Sequence, residues 1–335
     1  MFARVNQLAR HLSRPRPNYG HIRAVTAARS LWIPLHMTSY TETALANSKK
    51  TIHTAACLII GDEVLGGKTV DTNSAFFSKF CFSIGVSLKR VEVIADDESE
   101  IIEAVRRMSE RYDFVVTSGG IGPTHDDITY QSIARAFGLK LKLHEEALAR
   151  MRSLSKPQQA QRDFDWDTPS PALTARLRMV QIPVDDAIPL KDQAVFLADD
   201  LWLPVSVVNG NVYILPGVPT LFERLCNALK PLLKPRLADP MGEGIHRLLF
   251  ATPLYESTIA PYLTELAARV GPQGVKVGSY PRWGKKRNTV TLVGKDLKFM
   301  ESLVAEVEKN VEGRRVTRED EDDPPEADVE GQSSK

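Results

Sequence analysis

The feature that most constrains this chain is an alternation of apolar runs and amphipathic segments between residues 54 and 138. "TAACLIIG", residues 54–61, is a short apolar run closed by glycine, the pattern of a strand buried on both faces. Residues 71–85 place Phe76, Phe77, Phe80 and Ile84 at helical spacing, with Asp71 as the starting cap and Gly85 as the stop. A second strand, "VSLKRVEVIA", precedes a helix with Ile101, Ile102, Val105 and Met108 on one face and acids in its first turn. "DFVVTS" is a third strand, and "DITYQSIARAFG" a helix with Ile133, Ala134 and Phe137 inward and Gly138 as stop. A β-α-β-α-β-α order of this kind folds as an α/β, doubly wound, mostly parallel sheet.

Farther along, residues 152–194 lose the rhythm and read as a flexible or lid-like excursion. Regularity returns in "NVYILPGVPTLFERLCNAL": a strand, a tight Pro216-Gly217 turn, and a helix with Leu221, Phe222, Leu225 and Leu229 on one face. After Pro235 a β-α-β-β-α pattern points to a second, smaller α/β domain. The expected organisation is a basic leader over 1–50, the larger domain over 51–235, the smaller over 236–316 and an acidic tail over 317–335.

Ligands of an open parallel sheet collect at the carboxyl ends of its strands. Three loops fall there: "GDEVLGGKTVDTN" (61–73), "ADDE" (95–98) and "GGIGPTHDDIT" (119–129). Gly119, Gly120 and Gly122 let the backbone turn and present N–H groups at a helix start, which suits a phosphate; the same turn is also an ordinary packing solution. The spacing is neither the dinucleotide fingerprint nor a P-loop. Asp126 and Asp127, with Asp62, Glu63, Asp71 and Asp97 on neighbouring loops, repel a bare anion but suit a divalent cation shared with substrate phosphates. The bland alternative is that half of these acids are helix caps facing water.

Together "GDEVLGGKTVDTN", "ADDE", "SGGIGPTHDDIT" and "LPGVP" resemble the MoaB/Mog-like molybdopterin-binding domain, in the branch shared by CinA-type proteins and the N-terminal part of eukaryotic FAD synthases. "LPVSVVNGNVYILPGVPTLFERL" and "KVGSYPRWG" look like the FAD-synthase branch in particular, and the likeness spans residues 54–313. The resemblance implies a domain that binds a pterin-like or dinucleotide ligand. Related domains split FAD to FMN and AMP, or ADP-ribose to AMP and ribose 5-phosphate; the molybdenum-cofactor branch adenylylates molybdopterin. By motif, Asp97 and Asp127 match the acidic positions credited with metal and catalytic roles. Gly119, Gly120, Gly122, Pro123 and Thr124 match the phosphate-cradling turn, and Asp62, Glu63, Asp71 and Asn73 match the first-loop motif.

The chain shows no stretch resembling the FAD-synthesising domain or the CinA-type amidase, so the expected reaction is splitting of FAD or ADP-ribose rather than FAD synthesis. In that reading Asp97 and Asp127, helped by Asp126 or Asp62, hold a divalent ion (Mg²⁺, Mn²⁺ or Co²⁺) that activates water. Amides from Gly119 to Gly122 stabilise the developing charge, and Thr124 and Asn73 orient the substrate. Tyr280 and Trp283 offer a flat surface for an aromatic ring or, equally, pack the core of the small domain. His125 is a candidate general base, although a lone His in a polar turn is more often solvated. A flavin- or pterin-binding protein without turnover is the alternative from another class, and molybdopterin adenylylation a third.

Composition excludes other classes. A net charge of +1 leaves no basic excess for a general nucleic-acid binder. No apolar run approaches the roughly 20 residues of a membrane-spanning helix. Cys57, Cys81 and Cys226 have no metal-type spacing and read as buried thiols of a reducing compartment. Residues 1–41 carry Arg4, Arg10, Arg14, Arg16, Arg23 and Arg29 and no acid, the composition of a mitochondrial transit peptide; a disordered leader or an upstream start codon is the alternative, and Pro15 and Pro17 interrupt any amphipathic helix. Members of the resembled family often form homo-oligomers, which is the expectation carried over here.

Overall fold

The computed structural model describes residues 39–154, 164–240, 244–282, 287–319 and 321. The arginines of the leader, Trp283 and the end of the acidic tail lie outside the described residues. The larger sheet contains β1 (Thr54–Ile60), β2 (Ser87–Ile94), β3 (Phe114–Ser118), β6 (Ala194–Val195), β7 (Val205–Val208) and β8 (Val212–Leu215), in the order β2-β1-β3-β8-β7-β6. The four strands β2, β1, β3 and β8 run parallel; β7 pairs antiparallel with β8, and β6 pairs antiparallel with β7. From β1 the chain moves outward to β2 and then crosses back to β3 on the other side. The carboxyl ends of β1 and β3 therefore flank the switch point where ligands of such sheets bind.

The helices Asn73–Ser83, Glu98–Arg111, Thr129–Phe137 and Pro219–Leu233 stand where the periodicity places them. Phe77, Phe114 and Phe222 are fully buried between sheet and helices. Their rings meet, with centroids 5.6 Å apart for Phe77–Phe114 and 6.4 Å for Phe77–Phe222. Side chains of this size each contribute about 1.5–3 kcal/mol by burial. The three cysteines are free and buried here, and burial pushes each thiol well up from its ordinary value.

Three segments differ from the sequence reading. Residues 40–49, placed there in the leader, form a helix docked on the larger domain: Asn47 Nδ2 donates to the Asn209 carbonyl at 3.0 Å, and Tyr40 Oη accepts from Asn209 N at 2.9 Å. The docking partner is the β7–β8 hairpin, whose Asn209-Gly210 turn has φ of 51° and 70°. Such an Asn-Gly pair between apolar runs is a strong hairpin signal, so β7 was legible in principle. Asn47 is 5% exposed, so Asn47→Ala leaves the Asn209 carbonyl buried without its donor. The expected cost is about 1–3 kcal/mol. An unchanged urea midpoint in this variant contradicts the docking.

Second, much of the 152–194 excursion is regular. The strands β4 (Lys140–Leu143) and β5 (Gln181–Val184) pair antiparallel, joined through the helices Glu145–Leu154 and Pro171–Arg178. Arg176 lies over the Phe164 ring at 3.7 Å, and Ala147, Met151 and Val180 are buried together. Third, the smaller domain gains a strand. Its antiparallel sheet orders β10 (Lys276–Tyr280), β11 (Asn288–Gly294), β9 (His246–Thr252) and β12 (Arg314–Val316), with the helix Glu256–Val270 packed through Ile259, Leu263, Leu266 and Val270. β12 is only three residues long, with two exposed arginines, and carries no alternation to read.

Candidate phosphate site at the sheet switch point

Backbone geometry assembles the site first. Gly61 N donates to Ile94 O at 3.1 Å, tying the loop after β1 to the end of β2. Gly119 N donates to Leu215 O at 3.3 Å, tying the glycine turn to β8. Asn73, buried at the start of its helix, donates from Nδ2 to Ser118 Oγ at 2.9 Å and to Gly217 O at 2.8 Å. One side chain thus joins the loop after β1, the end of β3 and the Pro216-Gly217 turn. The Asn73 Oδ1 atom is buried without a partner among the described residues.

The turn itself is organised by two residues downstream. Thr129 N donates to Gly120 O at 2.9 Å and its hydroxyl to Gly119 O at 3.0 Å, so this buried threonine holds the turn against the helix start. Asp127 accepts from Gly122 N at 2.6 Å through Oδ1 and from Thr124 N at 2.8 Å through Oδ2. The expectation of an amide cradle from Gly119 to Gly122 is therefore narrowed. Gly119 N serves the sheet and Gly122 N serves Asp127, while Gly120 N and Ile121 N have no acceptor among the described residues. Pro123 and Thr124 shape the turn rather than offer amides, because proline has none and that of Thr124 is taken.

The acids sort into two groups. Asp97 caps the helix Glu98–Arg111, accepting from Ser99 N at 2.9 Å and Glu100 N at 3.0 Å, and its side chain faces water. The Ser99 hydroxyl, then the Glu100 amide, hold Asp97 below the usual carboxylate range. Asp71 is likewise a cap, accepting from Ser74 N at 2.9 Å. Asp96 instead turns into the site: its Oδ2 accepts from Asp62 N at 3.0 Å. Burial, and then the charges of Asp62, Glu63 and Asp126, push Asp96 above the ordinary aspartate value. The carboxylate that turns toward the loop after β1 is thus that of Asp96, while the motif position Asp97 is engaged as a helix cap. Sequence held the clue, because Asp97 stands three residues before Glu100, the spacing of an N-terminal cap.

Asp126 and Asp127 divide as well. The Thr124 hydroxyl reaches both: it donates to Asp127 Oδ2 at 2.5 Å, and it is the first influence holding Asp126 low, with the charges of His125 and Arg178 assisting. Asp127 builds the turn, and Asp126 is exposed beside it. His125 is 98% exposed with Nδ1 3.9 Å from Asp126 Oδ1, a solvated residue rather than a positioned base. Arg178, on none of the expected loops, donates from Nη1 to the Thr124 carbonyl. Tyr280 stands on β10 of the second sheet and is 55% exposed, so it does not pack a core.

Asp97, Asp126 and Asp127 do not converge as a metal centre, and among the described residues no three His, Cys, Asp or Glu side chains are arranged to hold an ion. Among the described residues, no helix is long and apolar enough to cross a membrane.

A mostly parallel, doubly wound sheet with open turn amides and a raised, half-buried acid at its switch point defines the class of α/β protein. Comparison with known proteins gives the family. A model described as a probable molybdopterin binding domain matches residues 56–237, and one for the FAD synthase middle domain matches residues 245–320. The chain belongs to this molybdopterin-binding-domain family. It is 33% identical over 282 residues to a probable FAD synthase of Caenorhabditis elegans, covering 78% of this chain and 51% of that protein. It is 34% identical over 235 residues to a protein of Aeropyrum pernix, covering 69% and 80%. The solved structure of the protein CinA, of unknown function, from Thermoplasma acidophilum is 31% identical, covers 56% of this chain and 99% of that one, and superposes with a TM-score of 0.41. The chain spans about half the length of the curated FAD synthases it matches, 51% and 48% for two nematode proteins.

Proposed function

We propose that this chain hydrolyses the phosphoanhydride of a nucleotide, FAD first and ADP-ribose second. The observation that carries the reading is the open Gly120 amide beside Asp96, whose Oδ1 lies 3.4 Å from where a Cβ on Gly120 would stand and which is raised by burial and by neighbouring carboxylates, with the open Ile121 amide next in the turn. Backbone N–H groups aimed at one point stabilise charge developing on a phosphoryl oxygen. A carboxylate raised toward neutrality beside such amides is placed to take a proton from water or to share a cation with the phosphate. Water adds to one phosphorus, the bridging P–O bond breaks, and FAD yields FMN and AMP. A divalent ion, held by Asp96 together with Asp62 or Asp126 and by substrate oxygens, would supply charge neutralisation and a more acidic water. Asn73 and Thr129 hold the turn in place while this happens.

Purified protein incubated with FAD, ADP-ribose or NAD in Mg²⁺, Mn²⁺ or Co²⁺ is expected to release AMP from at least FAD or ADP-ribose. Folded protein that releases none from any of them refutes hydrolysis. A second reading is favoured by one observation: Asp127 spends both oxygens, and Asp97 its Oδ1, on backbone amides, as in a site that binds without cutting. Tight calorimetric binding of FAD or a pterin with no product supports that reading. The names of the nematode relatives point to FAD chemistry, which both readings share.

A further inference from the structure

The loops of the motif bring Asp62, Glu63, Asp71, Asp96, Asp97, Asp126 and Asp127 to one edge, against Lys68 and His125 as their basic residues. A phosphoanhydride reaching the Gly120 and Ile121 amides therefore passes an acidic rim. The chain outside the motif supplies one further cation. The helix Pro171–Arg178 starts with Pro171 and a Ser170 hydroxyl accepting from Leu173 N at 3.1 Å, and it ends at the glycine turn. Its last residue, Arg178, gives Nη1 to the Thr124 carbonyl and makes no ion pair among the described residues. Its charge still reaches Asp126.

Between this guanidinium and the turn lies a cavity of about 240 Å³, with Gly122, Asp127, Gln131, Thr174 and Arg178 in its wall. The Tyr130 hydroxyl, fully buried in the same wall, has no hydrogen-bond partner among the described residues. Nη1 is held on the Thr124 carbonyl, which fixes the plane of a guanidinium that lines this cavity. A planar guanidinium so held pairs with two oxygens of a phosphate at once, which an ammonium does not do.

We propose that Arg178 is the cation that receives the ligand's phosphoanhydride at this turn, a phosphate-binding residue contributed from outside the family motif. The inference rests on the phosphoanhydride reading above. The opposing account is that Arg178 only clasps the turn through Thr124.

The test is calorimetric binding of ADP-ribose, with EDTA in place of metal so that no turnover occurs and at two salt concentrations, to the full chain and to its Arg178→Gln and Arg178→Lys variants, with urea unfolding of each. Arg178→Gln is expected to weaken binding on the order of 10- to 100-fold. It should also flatten the salt dependence and leave the urea midpoint near wild type, while Arg178→Lys recovers part of the loss. Wild-type affinity in Arg178→Gln overturns the proposal and leaves the phosphoanhydride reading standing. Equal loss in both variants together with a lowered urea midpoint also overturns it, because that is the signature of a clasp. Wild-type protein that binds neither ADP-ribose nor FAD removes the phosphoanhydride reading itself, and this inference with it.

Discussion

Gly119→Ala is expected to lose about 3–5 kcal/mol of stability, enough to leave much of the larger domain unfolded. The reason is local and rigid. Gly119 has φ of +109°, and a Cβ built on it lies 2.1 Å from the carbonyl oxygen of Ile60. That oxygen is backbone at the end of β1, and β1 pairs with β3 through Ile59↔Ser118, one residue before the turn. No rotamer relieves such a clash; the strand ends must part where the site is built. Gly67→Ala is the control. It shares a positive φ, +70°, but its Cβ meets nothing within 4 Å, so it should cost only about 1–2 kcal/mol. Urea unfolding followed by circular dichroism measures both. A Gly119→Ala midpoint equal to that of the Gly67 control contradicts the close approach of the turn to β1.

The second large effect separates two adjacent aspartates. Asp96→Asn is expected to lower AMP release from FAD or ADP-ribose by about 100-fold or more. Asp97→Ala should keep the rate within about threefold and lower thermal stability slightly, since it removes a helix cap. The pH dependence of stability gives an independent reading of Asp96. Its folded value lies above its unfolded one, because burial and the neighbouring acids disfavour its charge. Its contribution is therefore fully favourable below the ordinary aspartate value, near pH 4, and is lost as pH rises through the raised folded value. Asp96→Asn removes this titration while keeping an acceptor for Asp62 N. The variant should be at least as stable as wild type at pH 7, and the difference should shrink on acidification. Wild-type AMP release from Asp96→Asn, with Asp97→Ala inactive, restores the opposite assignment.

Much of the fold was legible because its signals are local. Continuous apolar runs gave β1 and β3, and helical spacing gave the Phe77 and Ile101 faces, since each pattern depends on neighbours a few residues away. The helix at residues 40–49 was hidden by its setting. It follows the acid-free, arginine-bearing stretch, and what holds it is the contact of Asn47 with Asn209, 162 residues away. The 152–194 segment was unreadable for a related reason: Pro157, Pro169 and Pro171 break any run, and its helix Pro171–Arg178 has no fully buried residue.

By itself the sequence determined the doubly wound order, the glycine turn at the end of β3 and the gathering of acids on loops at one edge. It could do so because strand, turn and cap preferences are set within a few residues. Only the tertiary structure decided which acid turns toward the glycine turn and which amides stay open there. Asp96 and Asp97 have the same chemistry; they part because one is taken by the amides of its own helix and the other is buried against Asp62. Arg178 reaches Thr124 across 54 residues, and no local rule joins them. Choices of that kind rest on competition among long-range partners for a few hydrogen bonds, which becomes definite only when the chain is folded.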